Sequence, residues 1–416
     1  MNAYLSKIVT TLLISLTLFF PKLATARYIV RPQDQAVFHN NQGVSFLNAG
    51  DAEKALFEFK TATELSPEYT EAWNNLGLTY MFLKDNDQAR TALLRAVKSN
   101  PDIASSYSHL AALEYNLGHY QEAIEWAEKG IKEDKKFADA YYNEGVSYRE
   151  LARRNSNNAE YYAKAEKAFR MATEANSRHY LANYELGNIY VSQNKLDEAM
   201  MRYKVALEIQ PSASQVWVAL GNIYLQKGDN NKAQWAFDKG MTANPGNQDA
   251  HMNMGLYYLA EKNFTLAERE LKQAQQNNPD SPRVYYNLAY LKFSQAEDVR
   301  ARQGEAAAQG MYQDAINQYI SLIQKYPNFP EALYDLAYLY TRTGDLTSAR
   351  EYYTKATTLK PNFAKAWYGL GLLAYQNGDQ KGSVEYFCRF VKNATPDLQS
   401  AIDMAQKIIA ENGKCK

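Results

Sequence analysis

The sequence predicts an all-α protein built from stacked helical hairpins, and three observations lead to this prediction. Segments far apart in the 416-residue chain superpose on one another, among them SPEYTEAWNNLGLTY, QPSASQVWVALGNIY and KPNFAKAWYGLGLLA. Prolines recur with these segments, and most of them follow the preceding one by 34 residues. Between the prolines, apolar residues follow helical spacing in two runs separated by a polar break. A fixed period of this length indicates a repeat protein.

Each period divides into two amphipathic helices. In the unit that begins at Thr70, Leu76 and Tyr80 lie on one helical face, and the segment KDND then breaks the pattern. Apolar helical spacing resumes at Ala89 and stops before Pro101. Neither helix is long enough to be stable alone, and one hairpin cannot cover its own apolar face. Neighbouring units are therefore expected to stack.

The composition indicates a folded chain without a net charge. Hydrophobic residues make up 46% of the chain and charged residues 22%, which is enough apolar surface for a sizeable core. Lys plus Arg and Asp plus Glu are equal at 46 each. The net charge therefore draws the chain neither to nucleic acid nor to an acidic membrane.

The first 26 residues have the pattern of a cleavable signal peptide. Lys7 precedes the apolar run IVTTLLISLTLFF, which is too short to span a bilayer comfortably, and the small residues ATA end at Ala26. An uncleaved N-terminal anchor is the alternative. Cleavage would leave a mature chain that begins at Arg27, has no transmembrane span and works in the periplasm or outside the cell.

The 34-residue period, with its order of aromatic, Leu-Gly, Tyr, Ala, aromatic, Ala and Pro, resembles the tetratricopeptide repeat (TPR). The second unit carries this pattern at Trp73, Leu76, Gly77, Tyr80, Ala89, Ala96 and Pro101. The resemblance implies a right-handed superhelical α-solenoid of about ten helix–turn–helix repeats over residues 36–395. The expected repeats begin near residues 36, 70, 104, 138, 180, 214, 248, 282, 330 and 364.

The remaining segments are assigned from the limits of the repeats. Residues 27–35 form a short N-terminal segment, and residues 396–416 form a C-terminal capping helix and tail. Insertions near 150–160 and 294–311 are polar and helix-favouring, so they are expected to lengthen the helices of the fourth and eighth repeats.

The TPR resemblance implies a concave groove lined by the first helix of each repeat. One groove position holds an asparagine in five repeats, with an aspartate in a sixth: Asn41, Asn75, Asn143, Asn253, Asn287 and Asp335. An asparagine side chain both donates and accepts, so a row of them can pair with the backbone of an extended peptide. The preceding position holds a tyrosine in five repeats: Tyr142, Tyr184, Tyr286, Tyr334 and Tyr368. Tyrosine offers flat contact area at low entropy cost. A purely solvated helix face is the alternative.

The sequence thus predicts a non-enzymatic scaffold or assembly factor of the cell envelope that binds an extended peptide segment of a protein partner in this groove. The alternative ligand is a glycan or cell-wall polymer, which would connect the protein with exopolysaccharide export or the cell wall. No catalytic residue, metal ligand or cofactor is predicted, because the five histidines are scattered singly. The glycine-rich GLGLLA at 369–374 falls inside a predicted helix with no preceding strand, so it is no nucleotide fingerprint.

The chain has two cysteines, Cys388 and Cys415, both near the C-terminus. In an oxidising compartment they can form a disulfide that ties down the last helices, provided that the tail after Gly413 folds back. Two free thiols are the alternative.

Overall fold

The computed structural model describes residues 32–155 and 158–415. The predicted signal peptide and the segment 27–31 lie outside the described residues. In the described part, the chain forms 21 α-helices, one 3-10 turn and no strand. The helices pack in consecutive pairs, which confirms the predicted all-α class.

The helices fall into two compact units, Met1–Pro211 and Ser212–Lys416. The described part of the first unit contains five hairpins: α1 (Pro32–Asn48) with α2 (Ala52–Leu65), α3 (Thr70–Phe82) with α4 (Asn86–Ser99), α5 (Ala104–Leu117) with α6 (Tyr120–Glu133), α7 (Ala138–Arg154) with α8 (Ala159–Ala175), and α9 (Tyr180–Ser192) with α10 (Leu196–Ile209).

The described part of the second unit also contains five hairpins: α11 (Ser214–Gln226) with α12 (Asn230–Ala243), α13 (Gln248–Ala260) with α14 (Phe264–Asn277), α15 (Pro282–Gln303) with α16 (Glu305–Lys325), α17 (Pro330–Thr343) with α18 (Leu346–Leu359), and α19 (Ala364–Gln376) with α20 (Gln380–Asn393). A 3-10 turn at Pro396–Leu398 then leads to α21 (Gln399–Asn412). The helices with odd numbers from α1 to α19 are the first helices of their hairpins, and their partners are the second helices.

Polar caps fix the turn inside most hairpins. The carboxylate of Asp85, for example, accepts a hydrogen bond from the backbone N–H of Gln88 at 3.2 Å and so caps the first turn of α4. Equivalent caps are Asp51, Asp229, Asn263, Asp345 and Asp379. The residue before the cap often has a positive φ, as at Gly228 (76°) and Lys84 (65°). Glycine adopts this conformation without strain, whereas a residue with a Cβ does not.

The Leu-Gly pair of the repeat pattern allows close contact between the two helices of a hairpin. A Cβ added to Gly221 of α11 would lie 2.5 Å from Cε1 of Phe237 in α12, which is fully buried. Gly145 has the same relation to Phe169 in the fourth hairpin. The small residue of the first helix therefore makes room for a large ring of the second helix.

The aromatic residue near the start of the first helix is linked to the preceding proline. The indole N–H of Trp73 donates a hydrogen bond to the carbonyl oxygen of Pro67 at 2.8 Å. Trp367 makes the same bond to Pro361, also at 2.8 Å. This bond ties the start of a hairpin to the turn before it, which explains why tryptophan and proline recur six residues apart.

The helices of the fourth and eighth hairpins, where the two insertions lie, are longer than most others. The fourth hairpin has helices of 17 residues each, and the eighth has helices of 22 and 21 residues, whereas most others have 13 or 14. The end of the eighth hairpin is held by polar contacts: Tyr312 of α16 donates to Glu297 of α15 at 2.5 Å, and Arg342 of α17 pairs with Glu305 at 3.1 Å.

The last helix covers the apolar end of the second unit. Ala405 and Ile408 of α21 are buried in one cluster with Phe387 and Phe390 of α20. Cys388 of α20 and Cys415 form a disulfide with an S–S distance of 2.02 Å and a Cα–Cα distance of 5.6 Å. The disulfide joins the tail after α21 to the hairpin that α21 covers.

Candidate functional site

In each unit, several neighbouring first helices contact one another, for example α1 with α3 and α11 with α13, and the first helices form a first-helix surface on each unit. The predicted row of amides and carboxylates lies on these surfaces, but its members differ in exposure. Asn41 is exposed, Asn75, Asn253 and Asp335 are half-buried, and Asn143 and Asn287 are buried. The ability to reach a ligand therefore varies along the row.

Two amides of the first unit bridge neighbouring first helices. The Nδ2 atom of Asn75 in α3 donates to Oδ1 of Asn40 in α1 at 2.9 Å. The Nδ2 atom of Asn143 in α7 donates to the carbonyl oxygen and the Oγ atom of Ser108 in α5, at 2.9 and 2.8 Å. These amides fix the spacing of adjacent repeats, which leaves their carbonyl oxygens as the groups with free hydrogen-bonding capacity.

A histidine that was not among the predicted site residues occupies the same row. His109 lies 34 residues after Asn75 and 34 before Asn143, so its spacing could have identified it. Its Nδ1 atom is buried without a hydrogen-bond partner among the described residues. Burial lowers the pKa of His109 to about 4, although Asp139 acts in the opposite direction. The imidazole is therefore neutral at pH 7.

In the fifth hairpin the row continues as Glu185, which forms an ion pair. Its carboxylate lies 2.5 Å from Nη1 of Arg149 in α7, and both side chains are largely buried. Burial disfavours the charged guanidinium, but the adjacent carboxylate outweighs this effect, and the pKa of Arg149 is raised. The pair neutralises this part of the surface.

The second unit contains a carboxylate held by two tyrosines. The hydroxyl groups of Tyr286 in α15 and Tyr319 in α16 both donate to Oδ2 of Asp335 in α17, at 2.7 and 3.1 Å. Oδ1 is not fully buried and accepts no hydrogen bond from the described residues. Burial raises the pKa of Asp335 to about 6, and the two hydroxyl donors oppose this effect. The carboxylate is therefore ionised at pH 7.

A series of aromatic ring contacts begins at Tyr286, one of the two donors to this carboxylate. Tyr286 stacks on Tyr290 with ring centroids 6.4 Å apart, Tyr290 contacts Phe293 at 6.0 Å, and Phe293 meets Tyr338 edge to face at 5.9 Å. Tyr290 is 39% exposed and Tyr338 37%. We name the group formed by Tyr286, Tyr290, Phe293, Asp335 and Tyr338 the Asp335 surface. The sequence prediction omitted three of its rings, although Tyr290 and Phe293 follow Tyr286 at helical spacing.

The other predicted tyrosines pack mainly against the hairpins. Tyr142 contacts Phe169 at 5.9 Å, and Tyr184 contacts Tyr203 at 6.0 Å. Tyr334 lies between Tyr353 and Phe363, and Tyr368 lies 4.9 Å from Phe390 with its hydroxyl 3.2 Å from Sδ of Met404 in α21. All four are half-buried, so each presents only part of its ring to a ligand.

Residues 32–155 and 158–415 contain no group of three or more His, Cys, Asp or Glu side chains that could hold a metal ion.

Family models match most of the hairpins. Models of the tetratricopeptide repeat match residues 46–114, 103–132, 224–289, 305–362 and 348–397, and a model of the TPR repeat matches residues 187–228. The chain carries tetratricopeptide repeats. The TPR assignment agrees with the resemblance read from the period, and TPR proteins typically mediate protein–protein interaction.

Similar proteins share this TPR architecture over part of their length. Anaphase-promoting complex subunit 3 of Schizosaccharomyces pombe is 26% identical over 172 residues, which are 41% of this chain and 25% of that protein. Protein STIP1 homolog of Dictyostelium discoideum is 30% identical over 100 residues, which are 24% of this chain and 18% of that protein. The chain thus spans a quarter or less of these relatives. Human IFIT1, solved with m7Gppp-AAAA, has a TM-score of 0.54 at 15% identity over 82% of this chain and 81% of that chain, a likeness of fold alone.

Proposed function

We propose that this TPR protein is a non-enzymatic scaffold or assembly factor of the cell envelope that binds an extended segment of a protein partner along its first helices. The Asp335 surface is the observation that carries the proposal. Tyr290 and Tyr338 expose more than a third of their surface. Both belong to the series of ring contacts that begins at Tyr286, which donates to Asp335. Rigid aromatic rings next to a polar anchor are typical of interaction hot spots.

Within each unit, the amides of the row supply polar contacts that an extended peptide needs. Asn253 is half-buried and makes no side-chain hydrogen bond to the described residues, so its amide can both donate and accept. Asn41 is exposed, and Asn75 keeps an acceptor oxygen. Groups of this kind bind backbone amides and carbonyls whatever the side chains of the peptide.

The envelope location rests on the signal-peptide pattern over residues 1–26 and on the disulfide. Disulfides persist in oxidising compartments such as the periplasm, so the Cys388–Cys415 bond supports export. Of the helices that the structure describes, none is both long and apolar enough to cross a membrane.

Peptide binding can be tested with the purified full chain. A phage-displayed peptide library is panned against the protein, and the affinity of the selected peptides is measured by fluorescence anisotropy. We expect Tyr290→Ala and Tyr338→Ala each to weaken binding about tenfold, the usual cost of truncating a hot-spot ring. Trp235→Ala is the matched control, because it removes an exposed ring from the second helix α12 of the same unit. Equal affinity of all variants, or no selected peptide, would contradict the proposal.

Export can be tested by expressing the full chain in a bacterial host and fractionating the cells. We expect the protein in the periplasm or the medium, with an N-terminus at Arg27. Retention in the cytoplasm with an intact N-terminus would contradict the proposed location.

A second candidate ligand is a glycan. Its supporting observation is the exposed pair Tyr290 and Tyr338, because sugar rings also bind flat aromatic surfaces next to a carboxylate. Titration with N-acetylglucosamine oligosaccharides decides between the two, and Tyr290-dependent binding of sugar without binding of peptide would favour the glycan.

A further inference from the structure

Most buried and half-buried carboxylates of this chain have a cationic partner. Examples are Glu114 with Arg90, Glu185 with Arg149, Glu270 with Arg269, and Glu331 with Lys360. The physical reason is that a carboxylate removed from water needs a neutralising group or several donors to remain ionised. Pairing is therefore the expected state for a carboxylate on these surfaces.

Asp335 departs from this pattern. No Lys, Arg or His among the described residues forms an ion pair with it, and its two hydrogen bonds both reach Oδ2. Glu144 and Glu166 are half-buried and also form no ion pair with the described residues, but neither is held by two hydroxyl donors as Asp335 is. Both hydrogen bonds of Asp335 reach Oδ2, so Oδ1 keeps its capacity to accept a hydrogen bond.

We infer that the Asp335 surface is a subsite for a lysine or arginine side chain of the extended peptide that the proposed function requires. An ammonium or guanidinium N–H would donate to Oδ1, and a charge-assisted bond of this kind is about twice as strong as a neutral one. The methylene stem would lie along the exposed rings of Tyr290 and Tyr338, and the cation would gain from their negative faces. The inference rests on the proposed function for the peptide that carries this side chain.

Two charged side chains near Asp335 also affect how tightly a cation would bind there. Glu331 lies one helical turn before Asp335 on α17, and its carboxylate is already paired with Lys360 at 2.8 Å. Lys365 on α19 is exposed and close enough to lower the pKa of Asp335, but it forms no ion pair with it. Removing Lys365 should therefore strengthen the binding of a cation about twofold to threefold, as expected for a partly screened like charge.

The test uses small probes and the full chain. N-acetyl-arginine methylamide, its lysine analogue and its neutral citrulline analogue are titrated into protein with labelled tyrosine rings, and NMR follows the ring signals of Tyr286, Tyr290 and Tyr338. Tyr286→Phe, Tyr290→Phe and Tyr338→Phe assign the signals. We expect the cationic probes to bind about tenfold more tightly than citrulline.

Three substitutions test whether Asp335 causes the preference for the cationic probe. Asp335→Asn keeps the size of the side chain and should abolish the preference for the charged probe. Glu331→Gln is the control on the same helix and should lower that preference by no more than about twofold, because Glu331 is paired with Lys360, while Lys365→Ala should increase it. Equal binding of arginine and citrulline by the unmodified protein, or an unchanged preference in Asp335→Asn, would overturn the inference. Binding of tri-N-acetylglucosamine at these rings in place of arginine would overturn it as well.

The outcomes separate this inference from the proposed function. If selected peptides bind in a Tyr290-dependent manner but tolerate alanine at every lysine and arginine, the peptide function stands and the cationic subsite fails. If no peptide binds but the arginine probe shows an Asp335-dependent preference, the subsite stands and the peptide function fails.

Discussion

Removal of the Cys388–Cys415 disulfide should loosen the C-terminal helix α21. The bond closes a segment with a sequence separation of 27 residues. By the chain-entropy relation, a loop of this length restricts the unfolded chain by about 3.5 kcal/mol at 25 °C. By comparison, α21 buries Ala405 and Ile408 and packs Ile402 and Ile409 partly against the same cluster, and a fully buried Ile contributes about 1.5–3 kcal/mol. The disulfide is therefore a large part of what holds this helix in place.

The assay is amide hydrogen exchange on the full chain in which both cysteines are replaced by serine. Intact mass first establishes that the unmodified protein is oxidised. We expect exchange within Gln399–Asn412 to accelerate by about 30-fold or more, equivalent to a local loss of about 2 kcal/mol. Urea unfolding should show a loss of about 2–4 kcal/mol for the cooperative transition of the second unit.

Reductant supplies the control for this prediction. The unmodified protein in reductant should behave like the double serine variant, and the variant itself should not respond. Unchanged exchange of α21 after reduction would refute the reasoning, because it would show that packing alone holds the helix.

Three further predictions concern single substitutions. Gly221→Ala should destabilise the protein by about 1 kcal/mol in urea unfolding, because overpacking against the buried Phe237 outweighs the gain in helix propensity; unchanged stability would show that the ring has room to move. Trp73→Phe should cost about 1 kcal/mol in the same assay, because it deletes the bond to the carbonyl of Pro67; no loss would mean that water replaces this bond freely. Asp335→Asn should flatten the pH dependence of stability. The folded-state pKa of Asp335 is raised from 3.8 to about 6, so the native state retains a proton that the unfolded state loses, and stability falls as pH rises from about 4 to about 6. Urea unfolding of both proteins across this pH range checks the prediction. An equal slope of stability against pH in the variant would contradict it.

The helices could be predicted because their signals are local. Period, proline and helical spacing depend on neighbours within one hairpin, and the close fit of Gly221 to Phe237 recurs between residues 16 apart. The bond from Trp73 to Pro67 is equally local. Each repeat therefore encodes its own shape, and stacking follows because a lone hairpin leaves its apolar face uncovered.

The candidate site was predicted only in part, because it depends on contacts between hairpins. The row of amides was visible in the sequence, but the bond from Asn143 to Ser108 and the ion pair of Glu185 with Arg149 join separate repeats. Nothing in the spacing indicates which amide bridges to a neighbour and which faces a ligand. Asp335 likewise accepts its hydrogen bonds from hydroxyl groups on two other helices, which the spacing of one repeat does not indicate.

By itself, the sequence determined the all-α class, the helix–turn–helix unit and the positions that face the first-helix surface, since a regular period repeats the same local geometry. Only the tertiary structure decided the state of each polar group on that surface. Burial and hydrogen bonding depend on how closely adjacent helices approach, and this distance is set by side chains from several repeats at once. For that reason Asn143 is enclosed while Oδ1 of Asp335 remains open.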